Sequence, residues 1–220
     1  MSATHAPSTP TVPTQGQAPS VGSAPTAPIP RSAPGSHLAD PAPLGLAAFA
    51  MTTFVLSFTN TGIFKVEPVV FGLALAYGGG AQLLAGMWEF AKGNTFGATA
   101  FSSFGAFWIS FWYLTGHTDL TGAGSKDVSH SLGLFLLGWA IFTAYMIIGA
   151  SRVSNAVLAV FVLLTVTFVL LAIGDFEIST TITKIGGWTG LATAAAAWYA
   201  SLGGVTAFTH GKSIVPTGAH

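Results

Sequence analysis

The distribution of charge is the feature that most restricts how this chain folds. Its seven acidic and seven basic residues all lie in the terminal tails or at the boundaries of six long stretches without formal charge. A helix needs about 20 consecutive, mostly apolar residues to cross the roughly 30 Å hydrocarbon core of a bilayer. The pattern therefore predicts an all-α integral membrane protein, a bundle of six transmembrane helices. The uncharged stretches are Pro41–Phe64, Pro68–Trp88, Gly93–Thr118, Val128–Ser151, Val153–Gly174 and Ile185–Gly211.

The composition argues against several other classes of protein. Charged residues make up 6% of the chain, against about 25% in a soluble domain, and a net charge of +0 gives no attraction to nucleic acid. The chain has no cysteine, which excludes a disulfide framework and a thiolate metal site. His117, His130 and His210 lack the spacing of a metal pair, and the sequence shows no nucleophile elbow, phosphate-binding loop or nucleotide fingerprint. We therefore expect no enzymatic activity, bound metal or cofactor.

Proline divides the chain into regions. Ten of its twelve prolines precede Leu44, mixed with Ala, Ser, Thr and Gly, and such a segment buries too little apolar surface to offset its ordering entropy. We predict a disordered tail over residues 1–38, a six-helix transmembrane domain over 39–210 and a short C-terminal tail over 211–220. The first helix is predicted to begin near Pro43–Leu44 and to end at Asn60–Gly62. The other five are predicted at about Val69–Phe90, Phe96–Leu114, Ser129–Ile148, Ala156–Ile173 and Ile185–Thr206.

Two weaker patterns concern topology. Six crossings place both termini on one side, with Arg31, Lys92, Arg152 and Lys212, against Lys65, Lys126 and Lys184 on the other. Four basic residues against three favour cytoplasmic termini slightly. The first, third and fifth helices also open with similar segments, 45–49, 97–101 and 157–161. Either three repeated helical hairpins or chance in an Ala/Phe-rich chain explains this echo.

The helices carry polar groups but no charge near their centres. Glu89 comes closest, and we interpret it as an interfacial residue that caps a hairpin together with Lys92. Hydroxyl groups within helices usually bond back to their own backbone or join neighbouring helices. The Gln82 amide has more donors and acceptors than one backbone carbonyl can satisfy. A position facing a water-filled path therefore suits Gln82 as well as a position packed between helices does. The candidates for a polar pore lining are Thr52, Asn60, Gln82, Ser102 and Thr165.

Aromatic residues crowd the third helix, and most of them are expected to face lipid or the membrane interface. A ring that instead points into a pore forms a hydrophobic constriction, which gates by dewetting. The spacing does not select that ring. The residues alone thus indicate a small channel or transporter without intramembrane charge. The aromatic residues in question are Phe96, Phe101, Phe104, Phe107, Trp108, Phe111 and Trp112.

Several motifs, in order along residues 40–220, resemble those of the acetate uptake transporter family, the succinate–acetate permeases. The first is the family signature N-P-A-P-L-G-L. Further matches are Tyr77-Gly-Gly with Ala81-Gln82, the run 93–108, the segment 170–174, Gly187-Trp188 and Val215-Pro216. The signature positions here are Asp40, Pro41, Ala42, Pro43, Leu44, Gly45 and Leu46.

The resemblance implies a six-helix protomer with its own pore, assembled as a homo-hexamer in the plasma membrane and similar to acid-gated urea channels. It implies passage of acetate, and in some members succinate, by proton-linked or channel-like transport. It also implies a narrow aromatic–aromatic–aliphatic constriction, which carries over to Phe49, Phe104 and Leu164. These three positions lie on the three odd-numbered helices, as a threefold hairpin repeat would place them.

Two residues depart from the family pattern. Asp40 replaces the opening Asn of the signature, and it either repels acetate, unless protonated or paired, or caps the first helix. Phe104 stands where Tyr is common, which implies a drier constriction. Two other functions remain open, namely a neutral-solute channel for water, urea or ammonia, and an acetate sensor that does not transport.

Overall fold

A computed structural model describes residue 1 and residues 38–65 and 67–219. It contains the six predicted helices and no strand within those ranges. The helices are α1 (Ala42–Thr61), α2 (Val69–Lys92), α3 (Thr95–His117), α4 (Ser125–Ala150), α5 (Asn155–Phe176) and α6 (Thr180–His210). The tail predicted over residues 1–38 lies, apart from its two end residues, outside the described residues.

All six helices are long enough to cross a bilayer, and five of them are also apolar enough by composition. The exception is α3, whose 23 residues include no Asp, Glu, Lys or Arg but several of Ser, Thr, Gly, Trp and Tyr. These residue types lower its mean hydropathy. The helix nevertheless belongs to the core of the bundle, because Phe101, Phe104, Phe107 and Trp108 are all buried. The six-helix prediction is confirmed.

Helices α4 and α6 begin four and five residues before the predicted positions, at Ser125 and Thr180. The early turns contain Lys126, Asp127 and Lys184. These charged residues bound the uncharged stretches from which the membrane helices were predicted. Ser179 starts α6 as an N-cap whose hydroxyl accepts a hydrogen bond from the Ile182 N–H at 3.4 Å. The uncharged stretches therefore outline the part of each helix within the membrane, while the helix itself continues into water.

A tight turn joins α2 to α3. Gly93 ends α2 with φ +83°, a left-handed conformation that favours glycine, and the Asn94 side chain caps α3 by accepting from the Gly97 N–H at 3.1 Å. The Asn94 amide also donates to the carboxylate of Glu89 at 2.8 Å. Glu89 is fully buried and holds the hairpin turn through Asn94. Lys92 pairs with Asp40 instead, so the predicted role of Lys92 in capping this hairpin was wrong.

The middle of α2 is a π-helical segment, Ala76–Ala81. Its glycines allow close approach to α1 and α3, because a Cβ atom on Gly78 would lie 2.5 Å from Thr52 Oγ1 and 2.9 Å from Trp108 Cδ1. Such one-turn π segments are often found at functional sites. Immediately after it, α2 presents Gln82, whose side chain is 1% exposed.

The C-terminal segment 211–219 is not a free tail. The Thr217 and Gly218 carbonyls accept from the first two N–H groups of α5, those of Ala156 and Asn155, at 3.0 Å each. The Ser154 hydroxyl accepts from the third N–H group of α5, that of Val157. The Tyr199 hydroxyl of α6 donates to the Pro216 carbonyl at 2.9 Å. The segment thereby satisfies backbone donors that a helix start leaves unpaired.

Aromatic side chains fill the centre of the bundle. Phe107 of α3 packs with Phe135 and Trp139 of α4 and with Phe168 of α5, at ring-centroid distances of 5.7, 5.1 and 5.4 Å. The expectation that most aromatic residues of α3 face lipid or the membrane interface was therefore wrong, since four of the seven, Phe101, Phe104, Phe107 and Trp108, are buried inside the bundle. Aromatic pairs in such stacked and edge-to-face arrangements add stability beyond the area they bury.

Candidate functional site

Two cavities lie along the axis of the bundle, one towards each end. The proximal cavity, of about 70 Å³, lies at the end where α1, α3 and α5 begin and is lined by Ala42, Asn94 and Val157 among others. The distal cavity, of about 190 Å³, lies towards the opposite end and is lined by Asn60, Thr115 and Asp175 among others. Together they extend through most of the length of the bundle.

Three apolar residues separate the cavities, and we call them the apolar ring: Phe49 of α1, Phe104 of α3 and Leu164 of α5. Phe49 and Leu164 line both cavities, and Phe104 lines the proximal one. The Phe49 and Phe104 rings lie 5.5 Å apart between centroids. All three side chains are at most 4% exposed, so the axis is dry at this level.

The helix register agrees with this arrangement. Residues one turn before Phe104 and Leu164, namely Ala100 and Val160, line the proximal cavity. Residues one turn after Phe49, Phe104 and Leu164, namely Thr53, Trp108 and Phe168, line the distal cavity. Since α1, α3 and α5 run in the same direction and one turn advances about 5.4 Å, the ring occupies a single level.

Neighbouring aromatic side chains hold the Phe104 ring in place. Its centroid lies 5.4 Å from that of Phe142, 5.9 Å from that of Trp139 and 6.0 Å from that of Phe161. Phe142 and Trp139 belong to α4, which packs behind α3 at this level. Movement of Phe104 out of the axis therefore requires displacement of several closely packed rings.

The structure separates the five predicted polar residues into two groups. Asn60 lines the distal cavity and Gln82 the proximal one. Thr52 and Thr165 lie outside both cavities, and their hydroxyls donate to the carbonyls of Ala48 and Phe161 at 2.9 and 2.8 Å. Ser102 also lies outside the cavities, against Gly86 of α2.

The sequence selection missed other polar groups on the distal cavity. Thr53, Ser57 and Thr167 line it, as does the indole of Trp108. Their side chains face the axis because each follows a member of the apolar ring by about one or two helical turns. Thr53 and Ser57 follow Phe49 by four and eight residues, and Trp108 and Thr167 follow Phe104 and Leu164 by four and three. Thr52 and Thr53 are adjacent in the chain, and only the three-dimensional packing of α1 against α2 decides which of them faces the cavity.

Two carboxyl groups also line the distal cavity, Glu67 from the α1–α2 loop and Asp175 near the end of α5. Partial burial raises the pKa of Glu67 above its ordinary value. Among the described residues, no lysine or arginine lines either cavity. The electrostatic surroundings therefore favour a neutral or protonated solute over a free anion.

Asp40 is both paired and used as a cap. Its carboxylate accepts from Lys92 Nζ at 2.7 Å and from the Ala42 N–H at 3.2 Å. The pair joins the start of α1 to the end of α2, and both side chains are partly exposed. Pairing with Lys92 neutralises the charge that the sequence places close to the proximal end.

Comparison with known proteins gives one consistent result. Residues 23–217 match the profile of the GPR1/FUN34/yaaH family. The chain is 41% identical over 214 residues to acetate permease A of Emericella nidulans, with 90% of this chain and 72% of the relative covered. It is 39% identical over 185 residues to the succinate-acetate/proton symporter SatP of Escherichia coli K12, with 83% and 97% covered.

A solved structure has the same fold. It is that of the bacterial acetate channel SatP, which superimposes with a TM-score of 0.76 at 39% sequence identity. The comparison covers 82% of this chain and 99% of the solved chain. The names of these relatives describe both a symporter and a channel.

Proposed function

The chain belongs to the GPR1/FUN34/yaaH family, and we propose that it moves acetate across a membrane through the axis occupied by its two cavities. Succinate and other small monocarboxylates are further candidate solutes. The observation that carries the proposal is the apolar ring between cavities that extend to opposite ends of the bundle. The names of the relatives, a permease, a symporter and a channel, support transport rather than enzymatic activity.

The proton is the second participant in the proposed reaction. A carboxylate ion does not cross a dry aromatic ring without a large desolvation cost, and no lysine or arginine lines either described cavity. Acetic acid has a pKa close to that of Glu, so roughly one molecule in a few hundred is neutral at pH 7. Acetate therefore passes the ring in protonated form or together with a proton, and the carboxyl groups of Glu67 and Asp175 lie on the wall of the distal cavity.

The proposed site comprises the apolar ring and the polar groups that approach it. Phe49, Phe104 and Leu164 form the constriction that selects solutes by size. Asn60 and Gln82 contribute polar groups to the cavities on its two sides. Phe104, where relatives often carry Tyr, leaves no hydroxyl at this level, which favours passage of the neutral acid.

We propose a homo-hexamer in the plasma membrane with both termini in the cytoplasm. The large apolar residues exposed on α2 and α4, such as Leu84, Trp88, Ile141 and Ile148, need either lipid or a second protomer against them. The Lys and Arg count supports the orientation, although Arg31 lies outside the described residues. Native mass spectrometry from detergent tests the assembly, and protease accessibility of the termini tests the orientation.

The proposed solute is tested by swelling of proteoliposomes in matched gradients of acetate, urea and ammonium. The expected result is rapid swelling with acetate that is fastest at low external pH and slow or absent with urea. Faster permeation of urea or ammonia than of acetate would instead establish the neutral-solute channel. If the protein conducts none of these solutes, and the response of cells to acetate nevertheless depends on it, the result would establish an acetate sensor that does not transport.

A further inference from the structure

The hairpin formed by α2 and α3 encloses a carboxyl group that the transport path does not use. Glu89 lies one turn before the end of α2, and its side chain is 0% exposed. Its Oε2 atom accepts from the Asn94 amide at 2.8 Å, whereas Oε1 makes no hydrogen bond to any described residue. A buried carboxylate needs a cation or several donors to offset its lost hydration. Glu89 has a single neutral donor.

The neighbouring charges do not supply the missing partner. Lys92 follows Glu89 by three residues, close enough along a helix for an ion pair, but its Nζ atom lies 2.7 Å from the carboxylate of Asp40. Helices α1 and α3 contain no Asp, Glu, Lys or Arg, and His117 lies at the far end of α3. Among the described residues, the charges that face Glu89 are therefore a cation that is already paired and the anion that pairs with it.

Glu89 lies directly behind the wall of the proximal cavity. Asn94 and Gly97 both line that cavity, and both contact the carboxyl group, since a Cβ atom on Gly97 would lie 2.8 Å from Glu89 Cδ. The Asn94 side chain also caps α3 by accepting from the Gly97 N–H at 3.1 Å. One amide thus connects the buried carboxyl group, the first turn of α3 and the cavity wall.

We propose that Glu89 is a proton-binding site, neutral in the arrangement described above, and that loss of its proton loosens the wall of the proximal cavity. A neutral carboxyl group with one unpartnered oxygen is far less costly to bury than a carboxylate. When the O–H bond breaks, the proton passes to water and the negative charge stays on Glu89. The carboxylate then requires more donors than Asn94 supplies, so the hairpin has to open towards water.

This site gives transport a dependence on pH that is separate from the titration of the solute. The second part of the proposal rests on the proposed transport of acetate. Because Asn94 and Gly97 belong to the cavity wall, opening of the hairpin disrupts the path on the proximal side of the apolar ring. At a constant concentration of neutral acetic acid, uptake should therefore fall as pH rises and Glu89 ionises.

The test uses infrared spectroscopy of the full chain in liposomes over a pH series, because a protonated carboxyl group has a C=O stretching band that a carboxylate lacks. Glu89→Gln keeps the shape of the side chain and an oxygen that accepts from Asn94, but binds no proton. Glu177→Gln is the matched control, since it makes the same change in an exposed side chain after the end of α5. Acetate uptake at constant neutral acetic acid is measured on the same samples.

We expect Glu89→Gln to lose a protonated-carboxyl band that the parent shows at about pH 6, where an ordinary Glu is ionised. Glu177→Gln should keep that band. Between about pH 6 and about pH 8, uptake should fall by about three-fold or more in the parent and in Glu177→Gln, and should stay nearly constant in Glu89→Gln.

Asp40→Asn provides a second test that leaves Glu89 in place. It frees Lys92 from its partner, and an unpaired cation three residues away favours the carboxylate. The pH at which half of the band has disappeared should therefore fall by about one unit. If Glu89→Gln does not fold, this shift decides alone, and an unchanged midpoint in Asp40→Asn would overturn the site.

Identical bands in the parent and in Glu89→Gln would overturn the proton-binding site and leave the proposed function intact. A band that is lost in Glu89→Gln, together with an equal fall of uptake with pH in both proteins, would overturn the link between Glu89 and the cavity wall. Absence of acetate uptake in the parent would overturn the proposed function, whereas the spectra would still decide whether Glu89 holds a proton.

Discussion

Leu164 is the one aliphatic member of the apolar ring, and it faces the rings of Phe49 and Phe104 across the axis. Truncation to alanine removes most of its side chain from a position that is 3% exposed. In Leu164→Ala we expect acetate uptake to persist and the rates for lactate and succinate to rise relative to it by about ten-fold, because one or two missing methylene groups change discrimination by roughly 1–3 kcal/mol. Competition uptake with labelled acids measures these ratios.

Leu163→Ala provides the control for this change. Leu163 neighbours Leu164 on α5, is partly buried and lies outside both cavities. Its truncation should leave the ratios near those of the parent. Unchanged ratios of lactate and succinate to acetate in Leu164→Ala would show that Leu164 does not set the size limit.

Glu67 gives a prediction about pH. Burial raises its pKa above the ordinary value of 4.5, so the folded protein retains this proton at a pH where the unfolded chain has lost it. The associated stability is present below the ordinary value and is lost as pH rises through the raised pKa. In Glu67→Gln we therefore expect the free energy of unfolding, relative to the parent, to increase as pH is raised from about 4 to about 7.

Asp119→Asn is the control of opposite sign. Hydrogen bonds from the hydroxyl and the N–H of Thr121 lower the pKa of Asp119, so its stabilising contribution is present above the ordinary value and is lost as pH falls. This variant should lose stability relative to the parent at neutral pH and approach it in acid. Denaturant unfolding in detergent across the pH series measures both, and a pH-independent difference for Glu67→Gln would contradict the account.

At the scale of elements, the π-helical segment of α2 determines how closely three helices meet. A methyl group at Gly78 would collide with Thr52 and Trp108, whereas the nearest atom to one at Gly80 is the Leu75 carbonyl oxygen at 3.5 Å. We expect Gly78→Ala to destabilise the protein by about 1–3 kcal/mol through overpacking. Gly80→Ala should be neutral or slightly stabilising, because alanine is the better helix former.

Chemical unfolding of the two glycine variants, together with acetate uptake, measures this difference. A Cβ atom on Gly78 would lie 2.9 Å from Trp108 Cδ1, and Trp108 lines the distal cavity, so Gly78→Ala should also lower the rate of acetate uptake. Equal stability of the two variants would show that α2 does not pack against α1 and α3 as described.

The C-terminal segment belongs to the bundle. Removal of residues 213–220 would take away the carbonyls of Thr217 and Gly218, which accept from the first two N–H groups of α5. We expect the truncated protein to unfold at a lower temperature, with a loss of about 1–2 kcal/mol for helix-end donors left without partners. By contrast, removal of residues 2–37, which lie outside the described residues, should leave the unfolding temperature and acetate uptake unchanged, and the reverse pattern would contradict both predictions.

The elements also show what a sequence can and cannot predict here. The uncharged stretches located all six helices, because excluding charge from the hydrocarbon core is a property of the chain itself. The helix starts at Ser125 and Thr180 were missed, because the first turns lie in water where Lys and Asp are tolerated. The positions of the apolar ring came from resemblance to a family, whereas the choice between Thr52 and Thr53, and the partner of Lys92, depends on packing between helices that no single segment encodes.

For the molecule as a whole, the distribution of charge along the axis has one consequence. Each cavity has polar groups in its wall, the ring between them has none, and carboxyl groups occur only on the distal side among the cavity-lining residues described. An anion without a proton would therefore meet unfavourable charge in one cavity and no compensating charge at the ring. Transport that depends on protonation follows from this arrangement more directly than free passage of acetate ions.

The most direct test is uptake of labelled acetate into proteoliposomes that hold the purified protein, with and without an inward proton gradient, at matched acetate concentration. The account predicts uptake above that of empty liposomes, accelerated by the gradient and reduced by an uncoupler. Accumulation above equilibrium would identify a symporter, and faster equilibration without accumulation a channel for the protonated acid. Uptake no greater than that of empty liposomes, or uptake insensitive to both pH and uncoupler, would contradict it.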